Sequence, residues 1–83
     1  VKSRTSVGRD NSSDIQINDT SLSRQHFEIV WDGKKAGVRD LGSTNGTKIG
    51  GIAIAEGPLS ADTAIQAGRS EFVFRVVARS VNN

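Results

Sequence analysis

A chain of 83 residues with 35% hydrophobic content makes one domain with a thin core, enough for a single pair of packed layers. It has no cysteine, which excludes disulfides and thiolate zinc sites and fits an intracellular home. No apolar run approaches the roughly 18 residues of a membrane span, and no charged-then-apolar signal segment opens the chain.

Short runs rich in Val, Ile and Phe, punctuated by Gly, Asn, Asp and Ser, predict an all-β fold, an antiparallel β-sandwich. Strands are expected over residues 5–8, 15–17, 25–31, 37–40, 47–49, 52–54, 64–66 and 71–78. In the third of these, alternation puts Phe27, Ile29 and Trp31 on one face and His26, Glu28 and Val30 on the other. Asp32-Gly33 and Gly50-Gly51 are hairpin signals. Between Ala53 and Ala67 the alanines favour helix, but Gly57-Pro58 breaks the pattern and no helical stripe survives, so no helix is expected. Residues 1–78 read as the domain and 79–83 as a tail. The start at Val1 suggests a piece of a longer or processed polypeptide.

The net charge of +2 invites a nucleic-acid reading. Against it, Lys34-Lys35 is the only adjacent basic pair, and Trp31 and the three phenylalanines sit at strand positions rather than along a basic stripe. A small positive balance serves any anionic ligand, because long-range steering does not depend on which phosphate it attracts. The run Gly42-Ser43-Thr44-Asn45-Gly46-Thr47 supplies hydroxyls, an amide and exposed backbone N–H groups between glycines. Two upstream segments, Gly8-Arg9 and Ser23-Arg24-Gln25-His26, add guanidinium groups. Together these are the parts a phosphate site needs.

In this order and spacing, Gly8-Arg9, Ser23-x-x-His26 and Ser43-Thr44-Asn45-Gly46-Thr47 resemble the forkhead-associated (FHA) domain, a phosphothreonine-binding β-sandwich of signalling proteins. The resemblance spans about residues 6–77. It implies that Arg9 grips the phosphate with a planar fork, Ser23 gives it a short hydroxyl bond, and Arg24 adds a second cation. It also implies that Thr44, through its hydroxyl or N–H, lies at the phosphate, and that the Asn45 amide bonds the peptide main chain beside it. Gly8, His26 and Gly46 would support the site, His26 as a buried tie between loops. Each residue also has a plainer reading. Arg9 would pair with Asp10 or Asp14, Ser23 would close an ST-turn, Arg24 would be solvated, and Asn45-Gly46 would be a tight turn.

Ser23, His26 and Asp40 are the residue types of a hydrolase triad, but nothing resembles a nucleophile elbow, and no enzyme is expected. One histidine without cysteine, and aspartates at 10, 14, 19 and 32 without calcium-loop spacing, argue against a metal. No cofactor is expected. The family usually has Asn-Gly where this chain has Gly50-Gly51, and one or two more strands ahead of Gly-Arg, where only seven residues precede Gly8. The sandwich is therefore expected to lack its first strand or two, or to receive them from upstream residues. Because Asp19-Thr20-Ser21-Leu22 contains no cation, an aliphatic or permissive preference is expected at the third ligand residue after the phosphothreonine, a position the family often selects.

The resemblance thus implies a module that binds a phosphothreonine-containing protein in Ser/Thr kinase signalling, inside the cell, with neither nucleic acid nor membrane as partner. The alternative is a phosphate-independent FHA-like scaffold associating through its sheet faces.

Overall fold

The computed structural model describes residues 3–75. Nine strands follow one another: β1 (Ser3–Gly8), β2 (Ile15–Gln16), β3 (Phe27–Trp31), β4 (Ala36–Asp40), β5 (Thr47–Ile49), β6 (Ile52–Ile54), β7 (Glu56–Leu59), β8 (Thr63–Ala67) and β9 (Ser70–Phe74). They form two sheets, of order β2-β1-β3-β4-β7 and β6-β5-β8-β9. Every pairing is antiparallel except β1 with β2, where Val7 faces Ile15 and Gly8 faces Gln16 in parallel. Side chains support that short parallel pair. The Asp14 carboxylate accepts the Ser6 amide at 2.8 Å, and the Ser6 hydroxyl accepts the Asp14 amide at 2.9 Å.

The alternation expected of β3 places Phe27 in the core, fully buried, and packs Ile29 against it. On the opposite face Glu28 is buried beneath an ion pair with Arg39, its cross-strand neighbour, at 2.8 Å. Val7, Leu22, Val38, Leu59, Ile65 and Ala67 complete the core between the sheets. Phe72 meets Phe27 edge to face at a centroid distance of 5.4 Å. Burying a side chain such as Phe27 or Ile65 contributes about 1.5–3 kcal/mol, so a few such residues hold the two layers together.

Both hairpin signals lie at hairpins. Asp32 Oδ1 accepts the amides of Lys34 and Lys35 at 2.8 and 2.7 Å, and Gly50-Gly51 has positive φ at both positions, as a two-residue turn of the primed type demands. One strand escaped the sequence reading. Gly57-Pro58, read above as a break, lies inside β7, paired with Gly37 and Val38 of β4. As β7 is an edge strand, the missing proline N–H costs the sheet no ladder bond on its open side. Strand β3 begins at Phe27 rather than at Gln25, because His26 turns its backbone to Val7 and its ring into the loops. The end of the last expected strand, 76–78, and the tail 79–83 lie outside the described residues.

Candidate functional site

Gly8 closes β1 and sets the geometry of everything near it. A Cβ there would lie 2.1 Å from the Arg24 carbonyl oxygen, so only glycine lets the two backbones touch. Three main-chain bonds fasten the crossing: His26 N–H to Val7 O (2.9 Å), Arg9 N–H to Ser23 O (3.0 Å) and Asp10 N–H to Arg24 O (3.0 Å). Arg9 and Ser23 are therefore held side by side by backbone alone.

The Arg9 side chain bends the same way, donating from Nε to Leu22 O at 3.0 Å. Its two terminal nitrogens have no protein partner among the described residues. The expected rivals are spent elsewhere. Asp14 binds Ser6, and Asp10 binds the Ser12 hydroxyl and amide, which hold its carboxyl below the ordinary range against desolvation, with Arg24 and then Arg9 adding attraction through space. The exposed Arg24 thus lies within electrostatic reach of the same carboxylate as Arg9.

His26 is fully buried and ties two loops. Its Nδ1 accepts the Ser23 amide at 3.1 Å, which leaves the proton on Nε2 to be donated to Gly46 O at 2.8 Å. Ser23 Oγ in turn accepts the Thr44 amide at 2.9 Å. Thr44 N–H is therefore occupied, and of the two groups considered for a phosphate its hydroxyl remains. The Ser23 hydroxyl keeps its own hydrogen to donate. Ser23, His26 and Asp40 form no catalytic relay, since both ring nitrogens of His26 contact main chain and Asp40 faces away into its own loop.

Asp40 shapes the phosphate-loop candidate. Its carboxylate accepts from the Gly42 and Ser43 amides at 3.0 Å each, from Ser43 Oγ and from Thr47 Oγ1 at 2.7 Å. Burial alone would raise the Asp40 pKa, but the bonds from Ser43, Thr47 and the two amides outweigh it and the carboxyl sits below its ordinary value. Ser43 Oγ then receives the Gly46 amide at 3.0 Å, closing the loop on itself. The tight-turn reading of Asn45-Gly46 is met, with Gly46 at φ 81°.

Asn45 is exposed, and its Nδ2 donates to Ser21 O at 2.7 Å, leaving Oδ1 without a partner among the described residues. Ser21 belongs to a second network that local sequence did not reveal. Asp19 accepts the Ser21 amide and hydroxyl at 2.8 and 2.7 Å and also binds Ser70 Oγ, while Ser21 Oγ accepts the Arg69 amide at 2.8 Å. The Ser70 and Ser21 bonds bring the Asp19 pKa down to about 2, with Arg69 helping through space. Gly68 makes room for this contact, since a Cβ on it would fall 2.4 Å from Ser21 Oγ. The Asp19-x-Ser21 spacing is a recognisable Asx-turn signal, but nothing local announces its partners about fifty residues later. Arg69 thus places a cation beside the Asp19 to Leu22 segment, which has none of its own.

Among the described residues no group of three or more His, Cys, Asp or Glu could hold a metal ion, and no helix is long and apolar enough to cross a membrane. A groove of about 470 Å³ over Val30, Gly37 and Pro58 lies on the outer face of the five-stranded sheet, away from Arg9 and Ser23. Its size does not argue for function there, because a phosphate held by a fork and hydroxyls needs no deep cavity.

The family model of the FHA domain matches residues 5–68. The FHA domain-containing protein FhaA of Mycobacterium tuberculosis is 39% identical over 70 residues, which are 84% of this chain and 13% of that protein. A structure from a study of phosphothreonine-dependent FHA domain interactions superposes with a TM-score of 0.86 at 36% identity, covering 92% of this chain and 79% of that one. The FhaA FHA domain complexed with the intracellular domain of Rv3910 superposes at 0.81 with 37% identity, covering 84% and 77%. The span of the family match includes Gly8-Arg9, Ser23 to His26 and the Ser43 to Gly46 loop, and the chain belongs to the FHA domain family.

Proposed function

We propose that this FHA domain is a phosphothreonine reader that recruits a partner after a Ser/Thr kinase has acted. The observation that carries the reading is the state of Arg9: its Nε is anchored on Leu22 O beside the Ser23 hydroxyl, while its terminal fork is free of Asp10 and Asp14. Arg9, Ser23, Arg24 and the Thr44 hydroxyl hold the phosphate. Asn45 Oδ1 accepts a peptide N–H next to it, while Gly8, His26 and Gly46 keep the loops in place. The domain acts by binding rather than by catalysis, on the intracellular side where kinases work. That placement is supported by the FhaA FHA domain having been solved with an intracellular domain.

Screening a degenerate phosphothreonine peptide library against its unphosphorylated twin, followed by calorimetry with a selected peptide, tests the reading. A shallow loop surface should give a dissociation constant on the order of 1–100 μM, or roughly −8 to −5.5 kcal/mol. Arg9→Ala should cost about 2–5 kcal/mol, enough to erase the signal. Binding by Arg9→Ala within a factor of two of the parent would show the pocket to be wrong.

A further inference from the structure

Asn45 stands between two grooves. One, about 430 Å³, lies on the Thr20 and Ser21 side. The other, about 260 Å³, leads from Asn45 onto the outer face of the four-stranded sheet, bordered by Lys48, Gln66, Gly68, Arg69 and Glu71. Strand alternation decides what lines it. Thr47 is buried and Ile49 packs on the core, so Lys48 points out; Ile65 and Ala67 are buried, so Gln66 does too. Lys48 faces Gln66 and Gln66 faces Glu71 across β5, β8 and β9.

The charges in this groove are uncommitted. Neither Lys48 nor Arg69 is paired with Glu71, since the one ion pair among the described residues is Arg39 with Glu28 on the other sheet. Asp19, the anion that Arg69 influences, is occupied by Ser21 and Ser70. Two cations, Lys48 and Arg69, therefore border a groove that starts at a residue of the proposed ligand site, with the Gln66 amide opposite Lys48. Glu71, across Gln66 from Lys48, disfavours an anion on its own side of the groove.

We propose that this groove is a second anionic subsite, which takes one aspartate or glutamate side chain of the bound phosphothreonine peptide between Lys48 and Arg69. This rests on the phosphothreonine reading above. It extends that reading from a phosphate to a phosphate with an acidic residue at a set distance.

The test is a set of phosphothreonine peptides with a single Glu walked through the flanking positions, each paired with a Gln twin. They are titrated at low and high salt against the parent, Lys48→Gln, Arg69→Gln and Lys48→Glu. At one position Glu should bind about 1.5- to 5-fold tighter than Gln, the range for an exposed ion pair. The gain should shrink at high salt, vanish in the Gln variants and invert in Lys48→Glu, while the Gln peptides bind all variants as they bind the parent. Phosphate-dependent binding without any Glu preference would overturn the subsite and leave the reader intact. An equal gain at every position would mean a diffuse field and overturn it too, as would variants that weaken Glu and Gln peptides alike. Failure of every phosphopeptide to bind the parent would instead bring down the reader itself.

Discussion

Ser21 receives the Arg69 amide on its hydroxyl at 2.8 Å and the Asn45 amide on its carbonyl at 2.7 Å, so one serine joins the β8–β9 turn to the loop proposed to hold the ligand. Asn45 is thereby oriented before any ligand arrives. A side chain already fixed loses less rotamer entropy on binding than a free one, so in the proposed reading this contact contributes to affinity.

Acidic mimics should fail. Asp or Glu in place of phosphothreonine offers one charge and two oxygens against nearly two charges and three oxygens, leaving donors at Arg9 and Ser23 without partners. An Asp-substituted peptide that titrates like its phosphorylated parent would point to a generic basic patch.

Phosphothreonine should be preferred to phosphoserine. The charges are equal, so the difference must come from one methyl group, worth about 0.8 kcal/mol by transfer and roughly 1–3 kcal/mol in a fitted recess. That is about 4- to 150-fold, and Asn45→Ala should reduce both the preference and the affinity. Matched peptides titrated at one salt concentration decide it, with equal affinities counting against the assignment.

Gly68→Ala should destabilise the fold and weaken peptide binding together. The residue has φ 57°, and its new methyl would meet Ser21 Oγ at 2.4 Å and Ser21 O at 2.6 Å. Left-handed strain alone costs about 1–3 kcal/mol, and the displaced Ser21 would release Asn45. Thermal unfolding and calorimetry on the same variant check both halves. Unchanged affinity in a destabilised variant would show that Ser21 does not position Asn45.

Stability should fall in acid partly through Asp19. Its folded pKa is lowered from 3.8 to about 2 by Ser70 and Ser21, so the native state resists a proton that the unfolded chain accepts. Its contribution is present in full above the unfolded value and is lost as pH falls through the folded one. Asp10, Asp32 and Asp40 are also lowered, so the comparison must be with Asp19→Asn. Urea unfolding should show the two proteins diverging above about pH 4 and converging near about pH 2. A gap that stays constant across that range would contradict the role given to Asp19.

What the sequence determined by itself was local. The period-two alternation of β3 and the two hairpin turns were legible because each depends on neighbours within a few residues, while Gly8-Arg9, Ser23 to His26 and Ser43 to Gly46 were legible by the resemblance of their order and spacing to the FHA pattern. Strand β7 was not legible, since Gly57-Pro58 reads as a break until it is known to lie on a sheet edge. Nor could local sequence decide between Arg9 as a surface salt bridge and Arg9 as a free fork. That choice was made by Leu22 O and by Ser6 and Ser12, which take Arg9 Nε and the two rival carboxylates. The link from Asp19 and Ser21 to Gly68, Arg69 and Ser70 belongs wholly to the tertiary structure. Its partners come from loops that only the packing of the two sheets brings together, and hydrogen bonds between residues about fifty positions apart leave no periodic mark in the chain.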